Sequence, residues 1–143
     1  MKWITRARPK TDPIACPWLI KRFIDPDVEI LYVPSEEVLE RAKRVGAINF
    51  DAVGARYTHR DGKCSFEVMI EEYGLEGYRA LDRLARNVHA ADVSDDLDTD
   101  PPGAGLFAIG ICGLNVEDDD YRLLGRGSFV YDALYAWCQR EVG

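Results

Sequence analysis

Residues 29–51 read EILYVPSEEVLERAKRVGAINFD, and this stretch decides the fold class. Glu29 to Val33 is a short β-favouring run closed by Pro34. Ser35 follows as a helix N-cap, and Glu36 and Glu37 complement the dipole of the first turn. Val38, Leu39, Ala42 and Val45 form one apolar stripe, and Gly46 ends the helix before a second β-favouring run from Ile48 to Asp51. Strand, helix and strand in 23 residues predict a small sheet crossed by helices.

Working outward, Lys2 to Arg6 and Arg56 to His59 are two further strand-like runs. Thr11 to Ile24 reads as the first helix, with two candidate starts. Either Asp12 caps it and Pro13 is its first residue, or Cys16 caps it and Pro17 is first. The second start would place the Cys16 thiol at a helix N-terminus beside basic residues, where its pKa falls. From residue 65 onward the periodicity is helical: Ser65 to Tyr73, Tyr78 to Ala91, Gly103 to Leu114, Asp118 to Leu124 and Ser128 to Arg140. The predicted fold class is therefore α+β in a single domain over residues 1–143. A small N-terminal sheet with crossing helices precedes a mostly helical C-terminal half.

A chain of 143 residues with 47% hydrophobic and 30% charged residues has the composition of one globular domain, not of a disordered or fibrous chain. Its longest charge-free run, Pro101 to Val116, is too short and too rich in glycine to span a bilayer. The N-terminus lacks the apolar stretch of a secretory signal, so a cytoplasmic location without membrane contact is expected. The net charge is -7, yet residues 1–24 carry six basic residues against Asp12 alone. So acidic a body repels a phosphate backbone, which argues against nucleic acid as a ligand of this chain by itself, while a small anion fits the basic corner. The four cysteines have no C-x-x-C spacing and read as reduced thiols.

The candidate chemistry lies in three places. In RYTHRDGKCSFE (Arg56–Glu67), Asp61-Gly62 is a hairpin signal that pairs Arg60 with Lys63, His59 with Cys64 and Thr58 with Ser65. His59 and Cys64 would then lie roughly 5 Å apart at Cβ, with Glu67 close by in the next helix. In NVHAAD, His89 and Asp92 share one helix face, a loose version of the spacing used by helical metal sites. A helix-capping histidine is the competing reading of His89. Thirdly, Arg6, Arg8 and Lys10 surround the approach to the first helix, where amides and guanidinium groups suit an oxyanion. Cys16 reads there either as a buried structural thiol or as a redox-active one.

Three other motifs carry no chemistry. Gly103 to Ala108 matches a dinucleotide fingerprint but follows the turn DTDPP instead of a strand, so it is assigned to close helix packing. The run Asp92 to Asp100 lacks the final glutamate of a calcium loop and reads as a solvated acidic loop. There is no G-x-S-x-G. The aromatic crowd of Tyr131, Tyr135 and Trp137 on the last helix reads as core.

WITRARPKTDPIACPWLIKRFIDP (Trp3–Pro26) resembles the opening of the chromate-resistance family known as the ChrB C-terminal domain. FDAVG and THRDGKCSFE within Phe50–Glu67, VHAAD at Val88–Asp92 and YDALYAWC at Tyr131–Cys138 agree with it. The family commonly places a basic residue after the aspartate where this chain has Pro13, which removes one anion contact. In that family the domain often sits behind a DNA-binding or sulfurtransferase-like segment in chromate-responsive regulators. The present chain shows no such extension, so the resemblance implies a stand-alone sensor or accessory domain of chromate resistance. His59, Glu67, His89 and Asp92 are its candidate ligands for zinc, iron or manganese, with Cys64 substituting for Glu67 in a softer site. Chromate is the expected small-molecule partner, and a protein partner or a second copy of the chain is also expected. The alternative is a metal-dependent hydrolase or oxidoreductase using the same cluster.

Overall fold

Trp3 and Ile4 point to opposite sides of the first strand and so separate the two layers of the molecule. The computed structural model describes the backbone of residues 1–143 and every side chain except that of Ser94. Strand β1 (Lys2–Arg6) lies between β2 (Glu29–Val33) and β3 (Ile48–Asn49) in a three-stranded sheet of order β2-β1-β3. Both pairings are parallel, Trp3 lying opposite Ile30 on one side and Ile48 on the other. Parallel neighbours need crossovers. Helix α1 (Asp12–Leu19) with the π turn Ile20–Ile24 supplies one, and α2 (Val38–Val45) the other. The Ile4 side packs on Val38 and Ala42 of α2. On the Trp3 side the indole stacks on Tyr57 at 5.8 Å and meets Phe50 edge-on at 6.1 Å. This face joins the main core, in which each large apolar side chain contributes about 1.5–3 kcal/mol by leaving water.

The rest of the chain is helical: α3 (Ser65–Glu72), α4 (Arg79–Asp92), a 3₁₀ segment Ser94–Thr99, α5 (Pro101–Val116) and α6 (Asp120–Val142). The fold is thus α+β, with the small sheet at the N-terminus and helices after it. No helix among the described residues is long and apolar enough to cross a membrane.

Several local expectations are corrected. Ser35 does not cap α2; Ser35–Glu37 form a 3₁₀ turn and the helix begins at Val38, ending as expected at Gly46 with φ 69°. The third strand stops at Asn49 because Asp51 takes a left-handed conformation (φ 46°), and Arg56–His59 is reduced to a single bridge between Tyr57 and Phe50. The α1 N-cap is Thr11, so both Asp12 and Cys16 are helical residues and Pro17 sits inside the helix. The Pro13 carbonyl, deprived of a partner by Pro17, accepts a hydrogen bond from the Tyr32 hydroxyl at 2.6 Å. The two predicted C-terminal helices are one. Asp119 caps α6 by accepting from the amides of Tyr121 and Arg122, and the helix runs through Gly125 and Gly127.

Candidate functional site

The Asp61-Gly62 turn forms with both residues left-handed (φ 54° and 78°), and Arg60 and Lys63 exchange backbone hydrogen bonds of 3.1 and 2.9 Å. The hairpin ends there. Ser65 opens α3, so the expected pairs His59–Cys64 and Thr58–Ser65 do not form. His59 and Cys64 diverge, and the single expected cluster becomes two.

The first cluster gathers side chains from five places in the fold. Asp12 comes from the first turn of α1, Asp51 from the bend after β3, His59 from the hairpin, Asp92 from the end of α4 and Arg6 from the end of β1. His59 Nε2 lies 2.7 Å from Asp92, 3.5 Å from Asp12 and 3.7 Å from Asp51. Ser65 binds two of these carboxylates, its amide donating to Asp12 at 2.8 Å and its hydroxyl to Asp51 at 2.6 Å. The Arg6 guanidinium donates to Asp51 at 2.9 Å. Asp12 is 0% exposed, and its Oδ1 has no hydrogen-bond partner. Burial, reinforced by Asp51 and Asp92, pushes the Asp12 carboxyl up to about 8. Hydrogen bonding to Asp12 and the surrounding carboxylates outweigh burial and raise His59 to about 9. Asp92 is also held above its ordinary value, by burial and by Asp51. With its pKa near 8 the Asp12 carboxyl keeps a proton around neutral pH, which leaves Asp51 and Asp92 to balance Arg6 and protonated His59. A cation bound by these carboxylates and the imidazole would displace the protons of Asp12 and His59.

The second cluster is Cys64, Glu67 and His89. Here the imidazole is already engaged at both nitrogens, Nδ1 with Glu67 and Nε2 with Asp96, each at 2.5 Å. Glu67 also accepts from the Cys64 amide at the N-terminus of α3. The Cys64 thiol is buried, and burial pushes its pKa up. This arrangement ties α3, α4 and the 3₁₀ segment together.

Sequence reasoning missed Asp12, Asp51 and Asp96. Asp12 stands at the head of the apolar run of residues 13–20 and Asp51 interrupts residues 48–53, and that was the available signal. The run Asp92–Asp100 is not wholly solvated: Asp92 and Asp96 turn to the histidines, while Asp100 caps α5 and binds Asn87.

The basic corner is dispersed. Arg6 turns into the acidic cluster. Arg8, with φ 59°, donates its amide to Asp120 at 3.3 Å and its guanidinium to the Asp118 carbonyl at 3.2 Å. Lys10 is exposed and has no ion-pair partner among the described residues. The α1 N-terminus, expected to attract an anion, already holds the Asp12 carboxylate. Cys16 is fully buried within α1, and burial together with Asp12 raises its thiol pKa instead of lowering it.

The family described as ChrB, C-terminal domain, matches residues 3–138, a span that contains both clusters. Protein ChrB of Cupriavidus metallidurans is 35% identical over 134 residues, which make up 94% of this chain. The chain spans 40% of that relative's length. No solved structure matches. The match runs from β1 into α6 and takes in the sheet, the acidic cluster and the helical layer together, so the chain belongs to the ChrB C-terminal domain family of chromate resistance.

Proposed function

We propose that this chain is a metal-binding sensor or accessory domain of chromate resistance whose divalent cation sits among Asp12, Asp51, His59 and Asp92. The observation that carries this reading is the buried, unpartnered Oδ1 of Asp12 in a cluster with His59 and Asp92. An orphaned buried carboxyl oxygen is costly, and a cation that displaces the Asp12 proton supplies its missing partner. Carboxylate oxygens with one imidazole suit manganese, iron(II) or zinc. His89, Glu67 and Cys64 serve the fold instead, because the carboxylates of Glu67 and Asp96 already satisfy the imidazole.

Chromate is the oxyanion to which the domain responds in this reading. Arg6 and Arg8 have protein partners, so direct binding at the basic corner would have to compete with Asp51 and Asp120. A cytoplasmic location accords with four free cysteines, one of them, Cys112, exposed. A metal-dependent enzyme is the second reading, favoured by the 48% exposure of the His59 side chain, which leaves the rim of the cluster open to water. Turnover lost on chelation and restored by metal would establish it.

The test is metal content by mass spectrometry on untagged protein. Near-stoichiometric metal is expected in the wild type and in His89→Ala, with most of it lost in His59→Ala. Undiminished metal in His59→Ala would refute the assignment, as would its loss from His89→Ala alone.

A further inference from the structure

Helix α5 has no charged residue along its 16 positions, yet only Gly103 and Leu106 are buried. A helix apolar on every side belongs inside a structure. Five of its exposed residues form a continuous stripe, Pro101, Gly105, Ile109, Cys112 and Val116 following one another at intervals of three or four, and exposed Ala108, Ile111 and Asn115 widen it on one side. Ile109 is 55% exposed and Val116 75%.

The neighbouring helix extends this face. Both α5 and α6 pack on α4, but they splay apart from their junction, where Gly113 approaches Leu123. The space between them is a groove of about 440 Å³, lined by Gly105 and Ile109 on one side and by Val130, Ala133, Leu134 and Trp137 on the other. Phe129 stands at its edge, 73% exposed.

We propose that this α5–α6 face is the interface of a homodimer, paired about a two-fold axis. The face carries its own knob and hole: in an isologous pairing, Phe129 of each copy enters the groove of the other. Charge selects the same occupant. A basic partner would require acidic residues here, and the groove lining offers none, although the chain as a whole carries -7. The charged residues that border the face beside Ile109 and Val116, Lys10 and Arg126, are basic. Two acidic copies meet with least repulsion through a face whose lining carries no carboxylate, and this is such a face. Its size is adequate. Sixteen helical residues extend about 24 Å, and two adjacent helices are roughly 20 Å across, some 480 Å² in projection. The corrugated accessible surface is larger, against the ~800 Å² per partner of a standard interface. A contiguous apolar area of this order on a monomer marks an interaction site. The inference does not depend on the metal reading.

Cys112 lies within the stripe and is the one exposed cysteine of the four, so it reports directly on the pairing. Sedimentation equilibrium of the untagged chain should give twice the 16.1 kDa monomer mass at tens of micromolar, with association tightening as salt screens the like net charges. A short bismaleimide should give a covalent dimer that Cys112→Ser abolishes. Phe129→Glu and Ile109→Glu change exposed residues, and circular dichroism should report an intact fold. Each should weaken dimerisation roughly tenfold or more. A monomer at every concentration would overturn the proposal and leave the face to a different partner. A dimer indifferent to both glutamates and not cross-linked through Cys112 would overturn it equally.

Discussion

Asp12 shows how one residue can be at once a fault in the fold and the centre of the proposed site. Its carboxylate stands in the first turn of α1, the favourable end of the helix dipole, and accepts from the Ser65 amide at 2.8 Å, but it shares a buried space with Asp51 and Asp92 and leaves one oxygen unpaired. Asp51 adds backbone strain by standing at φ 46°, a conformation that side chains with a Cβ rarely adopt. Asp12→Asn keeps the shape and the acceptor for Ser65 while removing one of three converging carboxyl groups. The metal-free variant is expected to gain about 1 kcal/mol, a rise of about 2–4 °C in Tm for a domain of this size. Divalent cation should raise the wild-type Tm and leave that of Asp12→Asn unchanged. Scanning calorimetry with and without cation checks both halves, and a destabilised metal-free Asp12→Asn would contradict the reading of the cluster as crowded with carboxyl groups.

At the scale of elements, two glycines two residues apart in α6 play opposite parts. A Cβ on Gly127 would lie 2.7 Å from Ile14 Cγ2, so the glycine is what lets α6 lie against α1. A Cβ on Gly125 would meet nothing within 4 Å. Gly127→Ala should therefore cost about 1–3 kcal/mol through overpacking. Gly125→Ala should gain about 0.5–1 kcal/mol, because alanine in a helix interior avoids the entropy that glycine loses. Urea midpoints of the two variants moving in opposite directions would verify this; a shared direction would contradict it. Gly103 repeats the Gly127 case: a Cβ there would stand 2.6 Å from that of Ala90, which accounts for the fingerprint-like glycine as a contact between α5 and α4.

In the whole molecule α4 is the hub, with α3, α5, α6 and α1 packed around it, and His89 fastens this hub to α3 and to the 3₁₀ segment. Burial pulls the His89 pKa down, but the hydrogen bonds to Asp96 and Glu67 outweigh it and hold the imidazole above its ordinary value. A group raised on folding contributes stability that is complete below its unfolded value of about 6.5 and is lost as pH rises through the folded one. The neutral ring can donate to only one of its two carboxylates, and its free lone pair faces the other. The stability gap between wild type and His89→Gln should thus be widest below the unfolded value of about 6.5 and should narrow as pH rises above it. Comparing variants at each pH removes the contribution of His59, which both proteins share. A gap that widens with pH would refute the bridge.

The sequence alone determined what rests on local periodicity and end signals. The strands at Lys2–Arg6 and Glu29–Val33, the helix closed by Gly46, the Asp61-Gly62 turn and the helical second half were all legible, as were the family blocks. His59 and Asp92 were legible as candidates, because each sits beside a recognisable turn or helix end, and the two lie 2.7 Å apart. The tertiary structure alone decided which side chains meet. Asp12 and Asp51 are 39 residues apart and join His59 and Asp92 only because α1, the bend after β3, the hairpin and the end of α4 converge at one point. It also separated His59 from Cys64, since whether a hairpin continues past its first pair depends on the packing that starts α3 at Ser65. Local propensity is set by neighbours in the chain; burial and ion pairing are set by neighbours in space. No spacing rule within a short window could have brought these carboxylates together.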